Sequence, residues 1–424
     1  MLLISNGRVV DPTTRMDAPR DVLLDGHRIV AVAAPGQLDS RANGAERFDA
    51  RDMIVAPGFI DLHCHLREPG GESSETIETG ARAAARGGFT AICPMPNTRP
   101  VNDNASVTRS ILERAAEVSG VRVWPIGAAS LGSKGEALAE IAAMKQAGIV
   151  AVSDDGRPIA TAKLLRQVME YCHALNLPVI DHCEDSSLFA GAVMREGKQS
   201  VRLGLRGMPA ATESLAVGRD VQMGVLTGCR LHIAHLSAHE SLEFVRSAKA
   251  KGLPVTCEVT PHHLTLTDED VQYDSSYKMN PPLASREDRD ALIVGLADGS
   301  VDAIATDHAP HEPALKDVEF DRAPFGVTGF ETALGLVLEL VHAGKLSLMR
   351  LVELFTSGPA RVLEIGRRIA EGEPGDLTIF STEHKWTFHA NESASKSRNS
   401  PFDGRTFRGA PMATVVAGRL AYRR

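Results

Sequence analysis

The run FIDLHCHL, residues 59–66, decides how the chain is read. Its length and apolar content suit a short strand buried on both faces. Side chains alternate along a strand, so His63 and His65 share one face with Arg67, while Leu62, Cys64 and Leu66 take the other. Two imidazoles one pleat apart can chelate a single divalent cation. An isolated HxH is more often a packed pair of core histidines. Here Arg67 lies on the same face, and further His and Asp residues recur on later strands.

Seven more apolar runs follow the first. They are FTAICPMP (89–96), VRVWPIGA (121–128), IVAVSDDG (149–156), PVIDHCED (178–185), RLHIAHLS (230–237), PVTCEVTPHH (254–263) and VDAIATDHAPH (301–311). Stretches with helical spacing separate them, such as ETIETGARAAAR, TAKLLRQVMEYCHAL and SLEFVRSAKAKG. Gly87-Gly88 and Gly252 stand where helices should stop before the next strand. Buried strands alternating with helices predict an α/β fold with a parallel sheet, and eight units predict a closed (β/α)8 TIM-like barrel. An open doubly wound sheet is the alternative.

The two ends of the chain read differently. LLI, DVLL and RIVAVAA near the start, and DLTIF, ATVV and RLAY near the end, are short strands. Ser5-Asn6-Gly7, Asp25-Gly26 and Ala417-Gly418 are hairpin-type turn signals among them. The expected organisation is therefore 1–56 and 366–424 as β segments flanking a barrel over 57–365.

Composition excludes several classes. With 424 residues, 43% hydrophobic and 24% charged, the chain can bury a large core without staples. A formal net charge of −8 with both signs interspersed leaves no basic footprint for nucleic acid. The six cysteines lack CxxC pairing and read as free thiols of a reducing compartment. Neither a signal peptide nor a membrane-spanning run is apparent, so a cytoplasmic location without membrane partners is expected.

Seven of the eight runs end in chemically capable groups: HCHLR, PMPN, SDDG, DHCED, HIAH, TPHH and TDHAPH. In a parallel barrel these ends meet at one rim, where barrel active sites are built. His182 and His235 add imidazoles to His63 and His65. His232 is expected to face away, and parity makes Cys64 and Cys183 packing thiols. Asp154-Asp155-Gly156 reads as a turn or a ligand pair. Asp307, following Ala303-Ile304-Ala305, would be costly to bury without a cation nearby. Four His and two Asp suit two zinc ions sharing a carboxylate. Such ions lower the pKa of a shared water and polarise an amide carbonyl, and Asp307 is placed to shuttle the proton. Arg67, Asn97, Asn280 and His311 are donors at the same rim, suiting an anionic substrate that carries a carboxylate and amides. The segment 311–326 reads equally as a mobile lid or a solvated loop.

Longer motifs then resemble the bacterial type I dihydroorotases of the amidohydrolase superfamily. They are PGFIDLHCHLREPGGESSETIETG, GGFTAICPMPNTRPV, SDDG, HCED, EVTPHHL, KMNPPL, and IATDHAPH followed by APFGVTGFET. The resemblance runs over nearly the whole chain, in the same order. It implies reversible, zinc-dependent cyclisation of N-carbamoyl-L-aspartate to L-dihydroorotate in pyrimidine (UMP) biosynthesis. It implies a first zinc on His63, His65 and Asp307, Asp155 bridging, and a second zinc on His182 and His235. It implies Asp307 as acid/base and Arg67, Asn97 and His311 on the substrate carboxylate. It places Asn280 on the ring amide and the Phe325 and Gly326 backbone against the substrate. The terminal segments would form one β-sandwich.

Related hydantoinases and allantoinases bridge their metals with a carbamylated Lys where this chain has Asp, and Ala284 stands where relatives often carry Arg. The rival functions are another cyclic amidohydrolase (dihydropyrimidinase, hydantoinase or allantoinase) and a non-catalytic scaffold for aspartate transcarbamoylase. A scaffold should lack ligands that this chain retains. A homodimer is the default assembly, and association with the transcarbamoylase alongside activity is compatible with the resemblance.

Overall fold

The computed structural model describes residues 1–188 and 190–424. The chain opens with β1 (Leu2–Asp11), β2 (Met16–Asp25), β3 (Arg28–Ala33), β4 (Glu46–Asp49) and β5 (Ile54–Pro57). β1 pairs antiparallel with β2, and β2 with β3 across the expected Asp25-Gly26 turn. Ser5-Asn6-Gly7 is not a turn. β1 continues through it as a bulge, with the register shifting between Ile4 and Gly7. A positive-φ residue followed by Gly serves either feature. Packing selects the bulge: a Cβ on Gly7 would lie 2.5 Å from Val55 Cγ2, so β5 closes over this point.

The central part alternates strand and helix. β6 (Phe59–Cys64) and β7 (Phe89–Pro94) are buried throughout. The helix between them, Ile77–Arg86, starts on a capping box between Thr76 and Thr79 and stops at Gly87. Its buried Ala81, Ala83, Ala84 and Ala85 let it lie close to the strands. Pro125 splits the third run into β8 (Arg122–Val123) and β9 (Ile126–Ala128), since it has no N–H for the ladder. β10 (Ala151–Ser153) and β11 (Val179–Asp181) follow. After the small ribbon of β12 (Met194–Arg195) and β13 (Gly207–Met208) come β14 (Leu231–Ile233), β15 (Val255–Val259) and β16 (Ala303–Ile304).

These strands pair in parallel as β6-β7-β8 and as β9-β10-β11-β14-β15-β16. Beyond β16, His308 makes a parallel bridge to Cys64, and its carbonyl accepts from His65 N at 2.8 Å. Asp61 ties the same two segments: its carboxylate accepts from Thr306 N at 2.8 Å and Thr306 Oγ1 at 2.6 Å. The architecture is thus α/β, with parallel strands and intervening helices.

β17 (Leu377–Thr387), β18 (Thr406–Val416) and β19 (Arg419–Arg423) return to the start of the chain. They complete an eight-stranded sheet ordered β19-β18-β17-β5-β1-β2-β3, with β4 on β1. Ala417 (φ 49°) and Gly418 (φ 74°) form the expected turn. Asp376 sits at the seam with the helical part. Its carboxylate takes Arg122 at 2.7 and 3.0 Å, Arg367 at 2.8 Å and the Ala417 N–H at 2.8 Å. The six cysteines are free and buried. Among the described residues no helix is long and apolar enough to cross a membrane.

Candidate active site

The ends of the parallel strands bring the six expected ligands together. Asp155 is the hub. Its two oxygens lie 3.1 Å from His63 Nε2, 3.5 Å from His65 Nε2, 3.7 Å from His182 Nδ1 and 3.8 Å from His235 Nε2. Asp307 Oδ1 lies 3.0 Å from His65 Nε2 and 3.6 Å from His63 Nε2. All six side chains are buried. Asp154 takes no part. Its carboxylate accepts from the Ala129 and Ser130 N–H groups at 2.9 and 3.1 Å, which turns it away and leaves Asp155 facing in.

Three site residues other than glycine hold left-handed backbone: Arg67 (φ 61°), His235 (φ 30°) and Asp307 (φ 44°). Such conformations cost energy and cluster where side chains must be aimed against local preference. For His235 this backbone lies beyond the end of β14, so strand parity does not carry through to it.

The donor set fits divalent cations on the chain's own geometry. His63 Nε2 and His235 Nδ1 are buried without a hydrogen-bond partner. His182 Nδ1 and His235 Nε2 approach to 2.8 Å, each ring turned toward the Asp155 side. Two triads, His63–Asp155–His235 and His63–His65–Asp307, keep their ligand atoms within 4.8 Å of one another. Buried polar atoms without partners are costly, and a cation among them would satisfy several at once.

Charge follows the same logic. Burial pushes Asp155 up, but the charge of His63 and the other imidazoles gathered around it outweigh that and hold the carboxyl well below its usual range. Asp307 is lowered likewise, against burial, by its bond to His65 and the charge of His63.

One cavity of about 320 Å³ takes in Arg67, Asn97, Asn280, His311, Phe325 and Gly326 together with the metal-ligand candidates other than His63. Arg67 donates Nε to Pro310 O at 3.1 Å. Burial lowers its pKa to about 10, so it remains a cation at neutral pH. Asn97 orients His65, its Oδ1 lying 3.0 Å from Nδ1. Asn280 Nδ2 bonds Glu184 at 2.7 Å, while its buried Oδ1 lacks a partner. His311 is pushed down to about 3, mainly by burial and then by the Arg67 charge, so it is neutral. Its Nε2–H donates to Phe325 O at 2.8 Å. That occupies its one donor and makes it an anchor of the loop as well as a lining residue.

Sequence reasoning missed Glu258 and Glu184. Glu258, fully buried, places Oε1 3.3 Å from His63 Nδ1 and Oε2 3.1 Å from His232 Nε2. Glu184 Oε2 lies 2.9 Å from His182 Nε2. A carboxylate behind an imidazole fixes which ring nitrogen faces the metal. For Glu258 the available signal was a lone acid inside an apolar run, whereas Glu184 stood beside Asp181 and Asp185 in DHCED. His232, expected to face away, lies on the same inner side, beneath the ligands: His235 lies past the strand end, so the three-residue spacing does not set its direction. Cys183 is not a simple packing thiol, because its Sγ donates to Asp220 Oδ2 at 3.1 Å.

Comparison with known proteins places this geometry. Residues 52–241 match the dihydro-orotase-like family. The chain is 54% identical over its full length to a dihydroorotase of Solibacter usitatus (strain Ellin6076), covering 98% of that protein. It is 48% identical, again over its full length, to a dihydroorotase of Desulforapulum autotrophicum, covering 99% of it. Among solved structures, the L-hydantoinase (dihydropyrimidinase) of Arthrobacter aurescens superposes with a TM-score of 0.87 at 26% identity, over 99% of this chain and 95% of that one. A dihydropyrimidinase from Brevibacillus agri shares the fold at a TM-score of 0.85 and 23% identity, over 99% and 95% of the two chains. With about half of its residues shared end to end with proteins of that name, the chain belongs to the dihydroorotase family.

Proposed function

We propose that this chain is a metal-dependent dihydroorotase, interconverting N-carbamoyl-L-aspartate and L-dihydroorotate in pyrimidine biosynthesis. The observation that carries this reading is the gathering of four imidazoles and Asp307 around Asp155, in a cavity that also receives the Arg67 guanidinium. A neutral cyclic amide offers that cation no partner, whereas a ring bearing a carboxylate does. The two solved structures compared above are a hydantoinase and a dihydropyrimidinase, but fold alone does not choose a substrate.

His63, His65 and Asp307 would hold one zinc ion and His182 and His235 a second, with Asp155 shared between them. Bound metal supplies an acidified water and polarises the amide carbonyl. The chain's own residues do the rest. Arg67, with Asn97 beside it, binds the carboxylate. His311 reaches the same group on releasing Phe325 O. Asn280 Oδ1, unpartnered, accepts from a ring N–H. Asp307 takes a proton from the attacking water and returns it to the leaving amide nitrogen. In cyclisation it removes the proton from the carbamoyl nitrogen.

We also read the eight parallel segments as a closed (β/α)8 barrel over 57–365. The Cys64–His308 bridge supports closure. Residues 1–56 and 366–424 would form one β-sandwich, supported by an apolar cluster that mixes Val9, Val22 and Leu24 with Leu377, Ile379 and Val415.

The test is metal analysis of the purified protein together with assays on dihydroorotate, N-carbamoyl-aspartate, dihydrouracil and hydantoin. Zinc at one or two ions per chain with turnover of the two acidic substrates is expected. Full activity in metal-free protein, or a preference for dihydrouracil, overturns the reading.

A further inference from the structure

We infer that Lys316 and Asn399 are positioning residues that lock the substrate-facing loop and thereby set affinity for the acidic substrate. The inference rests on the dihydroorotase reading above, with Ala309, His311, Phe325 and Gly326 lining the substrate cavity.

Lys316 is 7% exposed and aims its Nζ at three backbone carbonyls. Nζ lies 3.0 Å from Pro324 O, 3.1 Å from Gly326 O and 3.4 Å from Lys278 O. Burial pushes its pKa down to about 7, and in the protonated form its three N–H donors match three acceptors. Asn399, 5% exposed, comes from the C-terminal segment. Its Nδ2 donates to Gly326 O and to Ala309 O, both at 3.0 Å, and its Oδ1 accepts from His311 N at 3.0 Å. This pattern fixes the amide orientation, because a flipped amide would set NH₂ against an N–H and oxygen against two carbonyls.

Together the two side chains secure both edges of the cavity wall. The carbonyls of 324 and 326 belong to Lys316 and Asn399, and that of 325 to His311. Gly326 N donates back to Lys278 O at 2.9 Å. Gly326 itself has φ 142°, and a Cβ there would lie 2.8 Å from Ala309 O and 3.0 Å from His311 Nε2. The carbonyls of 324 and 326 are therefore held from behind by Lys316 and Asn399, which do not line the cavity. Neither Lys316 nor Asn399 touches the metal-ligand candidates. Their loss should loosen substrate placement and leave the ligand set standing.

The substitutions are Lys316→Met, which keeps the stem and removes the donors, and Asn399→Ser, which shortens the side chain and breaks the three-way bond. Each is purified with metal, and metal content and melting temperature are recorded beside kinetics on dihydroorotate and dihydrouracil. KM for dihydroorotate should rise roughly 10- to 100-fold with kcat changed far less, and selectivity over dihydrouracil should fall. Metal content should match wild type. An unchanged KM, or a parallel loss of kcat and bound metal, overturns the inference. If Lys316→Met does not fold, Asn399→Ser decides alone. Wild-type enzyme that prefers a neutral ring refutes the dihydroorotase reading instead. The clamp is then judged by KM on that ring.

Discussion

Glu258 Oε1 lies 3.3 Å from His63 Nδ1, while its other oxygen lies 3.1 Å from His232 Nε2, all three residues being fully buried. The carboxylate thereby favours a proton on Nδ1 and leaves Nε2 as the ligand atom facing Asp155. Glu258→Gln should weaken metal affinity about 10- to 100-fold. Competition against a chromophoric chelator measures it, and wild-type affinity would show that Glu258 serves packing only.

Asp307→Asn keeps shape and removes the base. Turnover should fall about 10²- to 10⁴-fold, with most of the metal retained. Steady-state kinetics on metal-assayed protein tests this, and near-normal kcat at full metal content refutes the acid/base role.

Arg67→Met removes the cavity cation and keeps its apolar stem. A charge-assisted hydrogen bond contributes about 1.5–3 kcal/mol, so KM for dihydroorotate should rise roughly 10- to 100-fold. Dihydrouracil, lacking the carboxylate, should be unaffected or improved. An equal effect on both substrates argues against carboxylate recognition there.

Asp376 offers a pH test of stability. Burial pushes its carboxyl up, but Arg122 and Arg367 outweigh that and hold it below its usual value. The folded pKa lies below the unfolded one, so the unfolded chain binds more protons as pH falls. The stabilisation is present in full above the unfolded carboxyl value near 4 and is lost as pH drops through the folded one. Asp376→Asn should cost about 3–5 kcal/mol at neutral pH, because it strands Arg367 and half-buried Arg122. Urea unfolding at several pH values should show the gap between variant and wild type closing in acid. A gap independent of pH would rule out the ion pair as its source.

Much of this molecule is legible locally. His63 and His65 share a face because strand side chains alternate, and Cys64 falls on the other for the same reason. Thr76 and Gly87 bound their helix by capping chemistry that operates within a few residues. The six ligand candidates stand out because polar groups ending apolar strands have few places to go except one rim. Asn6-Gly7 shows the limit: its local chemistry permits a turn or a bulge, and only Val55, far along the chain, chooses.

What the sequence by itself determined is the alternation of strand and helix and the residue types arriving at the rim. Periodicity follows from backbone geometry and needs no distant partner. Tertiary structure alone decided that Asp155, not Asp154, faces in, that Glu258 and His232 lie beneath His63, and that Lys316 and Asn399 grip the same carbonyl. Those relationships join segments remote in the chain, and no local repeat encodes which of many buried polar groups will meet once the strands have assembled.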